Sequence, residues 1–266
     1  MPLSARDEAL TGDPRAGRDG RSSDSPIATL VAACRSLATY VTVAAYVLVV
    51  GTPGLLLSIA FASKTLLYGL GHVGVRLALA LAGIRYTVIG TAKVPDRAVV
   101  FCSNHESNVD PPVLFEALHD RLHILYKAEL SKLPLLGRAM QVGGFIPIER
   151  QNREQSVAAI SRGAASIRAG NSFLIFPEGT RSRARELLPF KKGGFIMALE
   201  AQAPIVPVAI SGGRAAMRKG SPIVRPVHVT VRIGGPVETA GLGVEDRDRL
   251  IAEVRRRIEA LRAENA

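Results

Sequence analysis

The chain has 266 residues, 34 Lys and Arg against 23 Asp and Glu, a net charge of +11 and 47% apolar content, which is long enough for one catalytic domain plus an appendage. The charge calls for an anionic partner, but with no Trp, 5% aromatic residues and none of the signatures of RNA or DNA binding, nucleic acid is not expected; an anionic membrane surface or a phosphorylated substrate fits better. The two cysteines, Cys34 and Cys102, show no paired spacing, so a reducing compartment is the simpler inference.

Residues 1–26 are rich in Gly, Pro, Ser, Asp and Arg without hydrophobic periodicity, which predicts a disordered tail rather than a signal peptide. From Ser36 to Ser63 no residue is charged, a run long enough to cross a bilayer core. Thr52-Pro53-Gly54 interrupts it. The run is either one kinked spanning helix or two short helices that dip into one leaflet and return. A second apolar segment, Leu66 to Ile84, carries His72 and Arg76 inside it and reads as amphipathic and interfacial. Residues 27–85 are therefore assigned to a membrane anchor. Lys64, Arg76 and Arg85 follow the apolar run while only Arg35 closely precedes it, so the positive-inside bias places the rest of the chain at the cytoplasmic face of the cell membrane.

Beyond Arg85 short apolar runs alternate with Gly, Pro and charged turns. Strands are expected at Tyr86–Ile89, Ala98–Ser103, Phe145–Ile148, Phe173–Phe176, Ile205–Ile210 and Val227–Ile233. Helices are expected at Pro112–Leu118, Gln155–Ala169, Gly194–Gln202 and Asp246–Ala263. The alternation predicts an α/β layered domain over 86–266, with a largely parallel mixed sheet flanked by helices and functional turns at one strand edge.

Within this frame Phe101–Pro112, FCSNHESNVDPP, carries the densest chemistry. Asp110 before two prolines suits the start of a helix at Pro111, with the Asp side chain capping free N–H groups. His105 then lies on a strand-to-helix turn that can fold Asp110 back toward the imidazole. Imidazole can take a proton from an alcohol, and a carboxylate on its other nitrogen fixes the tautomer. No G-x-S-x-G elbow is present, so the alcohol would belong to a substrate. The same two residues also suit a plain helix cap and a turn; the pair by itself does not choose.

Three further stretches place polar groups at strand ends. Gly144–Arg150, GFIPIER, ends in an acid and an arginine. Phe173–Ser182, FLIFPEGTRS, runs from a buried strand into glycine, threonine and arginine, residue types that can cradle an anion. Pro189–Gly194, PFKKGG, is a basic turn before a helix. His119-Asp120-Arg121-Leu122-His123 imitates a two-histidine zinc spacing, but its flanks are charged and no third ligand is evident, so no metal is expected.

In this order the blocks NHESNVD, GGFIPIER, FPEGTRS and APIVPVAI (203–210) resemble the glycerolipid acyltransferase family typified by bacterial 1-acylglycerol-3-phosphate acyltransferases, across roughly Tyr86 to Ile233. Glu149 stands where the family often has Asp. The resemblance implies that His105 is the general base and Asp110 its orienter. It implies that Arg150, Glu178, Gly179, Thr180 and Arg181, with Lys127 near the phosphate, hold the acceptor. The implied reaction is direct transfer from acyl-CoA or acyl carrier protein to a lysophospholipid, with no other cofactor and no metal. Other lyso-lipids, such as lyso-ornithine lipid, or glycerol 3-phosphate itself are the alternative acceptors; a non-enzymatic membrane protein is the alternative class.

Overall fold

The computed structural model describes residues 26–61, 63–118, 122–149, 152–182, 186–217 and 221–264. The expected tail therefore lies outside the described residues, apart from its last residue.

Helix α1 (Pro26–Tyr46) passes through a π-helical turn (Val47–Gly51) into α2 (Thr52–Ala60), so the apolar run is one continuous helix rather than two short ones. Pro53 causes no break because it stands where the ladder passes from the π-helical turn into α2, and the wider turn before it absorbs the change of register. Helix α3 (Lys64–Ala82) starts at Ser63, whose hydroxyl accepts the Leu66 N–H at 3.3 Å, and stops at Gly83 in the left-handed region. It runs back along α1: Tyr46 packs at Gly74 and Arg35 lies over Gly83. The outer faces of this pair remain apolar and exposed, as at Ile27, Leu48 and Phe61. Two polar residues inside α3 converge on one buried carboxylate. His72 Nδ1 and Arg76 Nε reach Glu116 at 2.5 and 2.6 Å.

The sheet has seven strands: β1 (Ile84–Ile89), β2 (Val100–Ser103), β3 (His123–Lys127), β4 (Ile146–Ile148), β5 (Phe173–Ile175), β6 (Ile205–Ser211) and β7 (Val227–Ile233). Their order is β1-β7-β6-β2-β5-β3-β4. Neighbours are parallel except β6 and β7, the mixed, largely parallel sheet expected. The remaining helices are α4 (Asp110–Leu118), α5 (Pro134–Val142), α6 (Arg153–Arg168), α7 (Gly193–Ala201) and α8 (Arg247–Ala263).

Alternation along the central strands divides the core in two. Val100, Cys102, Phe173, Ile175 and Ile205 pack with residues of α6, α7 and α8. Phe101, Leu174, Val206 and Val208 pack on the opposite side with residues of α3 and α4. Because β2, β3, β4, β5 and β6 point the same way, the turns after all five emerge on one edge, where a ligand crevice belongs in such sheets.

Strand β3 and helix α5 were not expected. His123 and Lys127 bracket β3 with polar residues, and the strand was masked by the histidine spacing. His123 begins this strand and lies buried against Phe173, so it is not on a helix four residues after His119, which itself lies outside the described residues.

Candidate active site

Strand β2 delivers Asn104 and His105 to the sheet edge. The Asn104 side chain extends the ladder by one rung: Oδ1 accepts the Ile210 N–H and Nδ2 donates to the Ile210 carbonyl, both at 2.9 Å. This anchoring role was not assigned from the sequence, although Asn is suited to it because its amide copies the donor and acceptor of a peptide group.

The chain then turns back, and His105 Nδ1 donates to Asp110 Oδ2 at 2.9 Å. The same oxygen accepts the N–H groups of Glu106 and Ser107 at 2.6 and 2.7 Å. Asp110 is therefore not the forward helix cap expected. It is the first residue of α4, and its carboxylate turns back into the preceding loop. Asp110 is fully buried, and its Oδ1 has no hydrogen-bond partner among the described residues. That oxygen faces Gly213, where an added methyl carbon would come within 2.7 Å of it.

The His105 backbone is held on both sides by the turn after β5. Glu178 Oε1 accepts its N–H at 2.9 Å, and its carbonyl accepts the Ser182 N–H at 2.9 Å. Glu178 Oε2 accepts the Leu188 N–H at 2.9 Å, and the residue is buried. This differs from the acceptor contact implied for Glu178. Its oxygens are occupied inside the protein, and it positions the histidine. The imidazole stacks on Phe176 at 4.3 Å between ring centroids, which leaves Nε2 as the nitrogen free of Asp110.

His105 and Phe176 line a cavity of about 670 Å³. Lys127, Gly179, Thr180 and Arg181 line it too, and so does Lys191, which the sequence reading left as part of a basic turn. Gly179 makes room for it: φ is +68°, and a side chain there would meet the Lys191 stem at 2.7 Å. Lys127 is paired with Glu129 at 2.9 Å on an exposed rim. The remaining wall is largely apolar, with Ile124, Leu130, Ile148, Ile160 and Ile196. Arg150 lies outside the described residues.

Glu106, next to the histidine, is held above the ordinary glutamate range by burial, offset in part by Arg214, whose Nε is 3.8 Å away. Burial raises the Cys102 thiol far above its ordinary value, so this cysteine is inert packing. Among the described residues no group of three His, Cys, Asp or Glu is arranged to hold a metal ion.

Residues 85–211, which contain every one of these turns, match the acyltransferase family model. They form an acyltransferase-family domain. A 1-acyl-sn-glycerol-3-phosphate acyltransferase of Cocos nucifera is 35% identical over 170 residues, 64% of this chain and 55% of that protein. The human 1-acyl-sn-glycerol-3-phosphate acyltransferase beta is 34% identical over 171 residues, 64% of this chain and 62% of its own length. The matches thus span less than two thirds of these relatives. The crystal structure of the 1-acyl-sn-glycerophosphate (LPA) acyltransferase PlsC from Thermotoga maritima superposes with a TM-score of 0.70 at 25% identity, covering 88% of this chain and 99% of that one. Strand β7 and helix α8 complete the sheet and its cover beyond the residues that the family model matches.

Proposed function

We propose that this chain transfers an acyl group from an acyl thioester to the free hydroxyl of 1-acyl-sn-glycerol 3-phosphate, giving phosphatidic acid. The observation that carries the reading is the His105–Asp110 hydrogen bond of 2.9 Å at the wall of a cavity lined both by Lys127, Arg181 and Lys191 and by apolar side chains. The names of the relatives in coconut, human and Thermotoga support the choice of acceptor.

His105 Nε2 takes the proton of the acceptor hydroxyl as its oxygen attacks the thioester carbonyl carbon. Asp110 keeps the proton on Nδ1 and stabilises the imidazolium that forms. The carbon–sulfur bond then breaks, the thiolate leaves, and the imidazolium returns the proton to it. The ester and the free thiol are the products, with no acyl-enzyme. Arg181, Lys127 and Lys191 receive the acceptor phosphate, with Gly179 and Thr180 between them and Arg150 following β4. Arginine suits this role because it can grip phosphate bidentately. The apolar wall takes an acyl chain.

The donor is acyl-CoA or acyl-acyl carrier protein. The exposed apolar helices associate with membrane lipid, and the basic residues after them, Lys64, Arg76 and Arg85, favour the cytoplasmic face. The test is an assay of the purified chain against lysophosphatidic acid, glycerol 3-phosphate and a phosphate-free lyso-lipid, with both donor types. Preference for lysophosphatidic acid is expected. Equal turnover of the phosphate-free acceptor would overturn the assignment.

A further inference from the structure

A second concentration of positive charge lies on the same strand-end edge as His105 but three strands away, at the outer strand β1. Arg35 of α1, Arg76 of α3 and Arg85 of β1 line one cleft of about 800 Å³, together with His228 of the adjacent strand β7. The floor is apolar where Leu79 and Ala80 reach it, and among the described residues no Asp or Glu lines it. Arg76 has its Nε on Glu116, and His228 Nε2 is 2.9 Å from Thr87 Oγ1. The guanidinium groups of Arg35 and Arg85 make no hydrogen bond or ion pair with any described residue.

That isolation sets them apart from the arginines of α8. Arg247, Arg255, Arg256 and Arg257 each pair with a carboxylate at 3.0 Å or less, the ordinary arrangement of a solvated charged face. The cleft instead gathers two guanidinium groups from two elements, Arg35 of α1 and Arg85 of β1, that face no carboxylate among the described residues. Arg35 does lie against Gly83 at the carboxyl end of α3, where a cation is favoured, but this does not account for Arg85. The cleft also opens between α1 and α3, and on α1 Ile27, Leu30 and Val31 are exposed on nearby turns. Unpaired guanidinium groups beside exposed apolar helix surface match the two halves of a lipid: charge for the headgroup, hydrocarbon for the chains.

We propose that this cleft binds the phosphate of an anionic membrane phospholipid, at a site separate from the cavity of His105. The proposal does not depend on the acyl-transfer reading, since it concerns how the chain sits on lipid whatever reaction it performs.

The test uses the full chain, sedimented with phosphatidylcholine vesicles that contain or lack phosphatidylglycerol, and compares it with R35Q/R85Q and each single substitution. The double variant is expected to bind the anionic vesicles about 30-fold more weakly, and each single about fivefold. Binding to pure phosphatidylcholine should be unchanged, as should activity on substrates presented in neutral detergent. Inorganic phosphate, added to the chain in detergent, should not raise its melting temperature. Equal weakening on both vesicle types would reduce the arginines to packing and overturn the proposal. A saturable rise in melting temperature with inorganic phosphate, without any difference between vesicle types, would overturn it in favour of a free-phosphate site. Should the double variant fail to fold, the singles decide, because they lie on different elements.

Discussion

Glu178 accepts the backbone N–H of His105 at 2.9 Å, so a carboxylate from the turn after β5 fixes the position of a side chain launched from β2. With its second oxygen on Leu188, Glu178 ties three segments of the sheet edge together without facing the substrate. In E178Q one of these acceptors becomes a donor aimed at an N–H group. The expected cost is about 1–3 kcal/mol of stability, with a fall in kcat and little change in either KM. A selective rise in the KM for the phosphate acceptor would instead return Glu178 to the substrate. Melting curves beside steady-state kinetics separate the two.

Removal of the imidazole should cost catalysis and little else. H105A is expected to lose about 10²- to 10⁴-fold in kcat while still melting as the parent does. D110N should lose comparable activity and also stability, because Asp110 Oδ2 holds the Glu106 and Ser107 N–H groups as well as the ring. Equal melting temperatures for D110N and the parent would count against that anchoring role.

Gly213 provides a test that leaves every charged group in place. A methyl at this position would press on Asp110 Oδ1, and the carboxylate can yield only by moving the imidazole it holds. G213A is expected to lower kcat on the order of tens to a hundredfold. G235A is the control: nothing lies within 4 Å of the site of its new methyl. Full activity in G213A would show that the Asp110 position tolerates displacement.

The cationic wall is expected to act through binding. R181K and K191Q should each raise the KM for lysophosphatidic acid with little effect on the KM for the thioester. If donor and acceptor constants rise together, the two residues serve the turn and not the phosphate.

Glu106 gives a pH dependence whose sign is fixed by its direction of shift. Its folded pKa lies above the unfolded one because burial opposes ionisation. The folded state therefore holds the proton more tightly, and stability is lost as pH rises from the ordinary glutamate range through the folded value. E106Q should flatten that part of the stability curve and melt no lower than the parent above it. A steeper curve in E106Q would contradict the assignment.

The meeting of His105 and Asp110 was legible because a proline pair forces the helix to begin beside the aspartate and leaves the histidine on the turn. The direction of the carboxylate was not: Asp-Pro suits a forward cap equally well, and only the packing of Gly213 and the N–H groups of residues 106 and 107 decide for the backward one. Strands β2, β5 and β6 announced themselves as apolar runs between turn-formers, as central parallel strands do. β3 did not, since His123 and Lys127 frame it and its burial depends on α3 and β5, distant in the chain. Glu178 and Asn104 were equally hidden in their roles. Each bonds to backbone across the sheet edge, and nothing local distinguishes such a residue from one that meets substrate.

The contact between α3 and α4 has a geometric consequence. Glu116, gripped by His72 and Arg76 of the apolar hairpin, and Asp110, gripped by His105, stand six residues apart on one helix, an axial rise of about 9 Å. One short rigid strut thus connects the lipid-facing helices to the reacting nitrogen. Once those helices are bedded in lipid, the strut would fix the height of that nitrogen relative to it. For the proposed transfer, this would favour acceptors whose hydroxyl stands at that height from their own hydrocarbon.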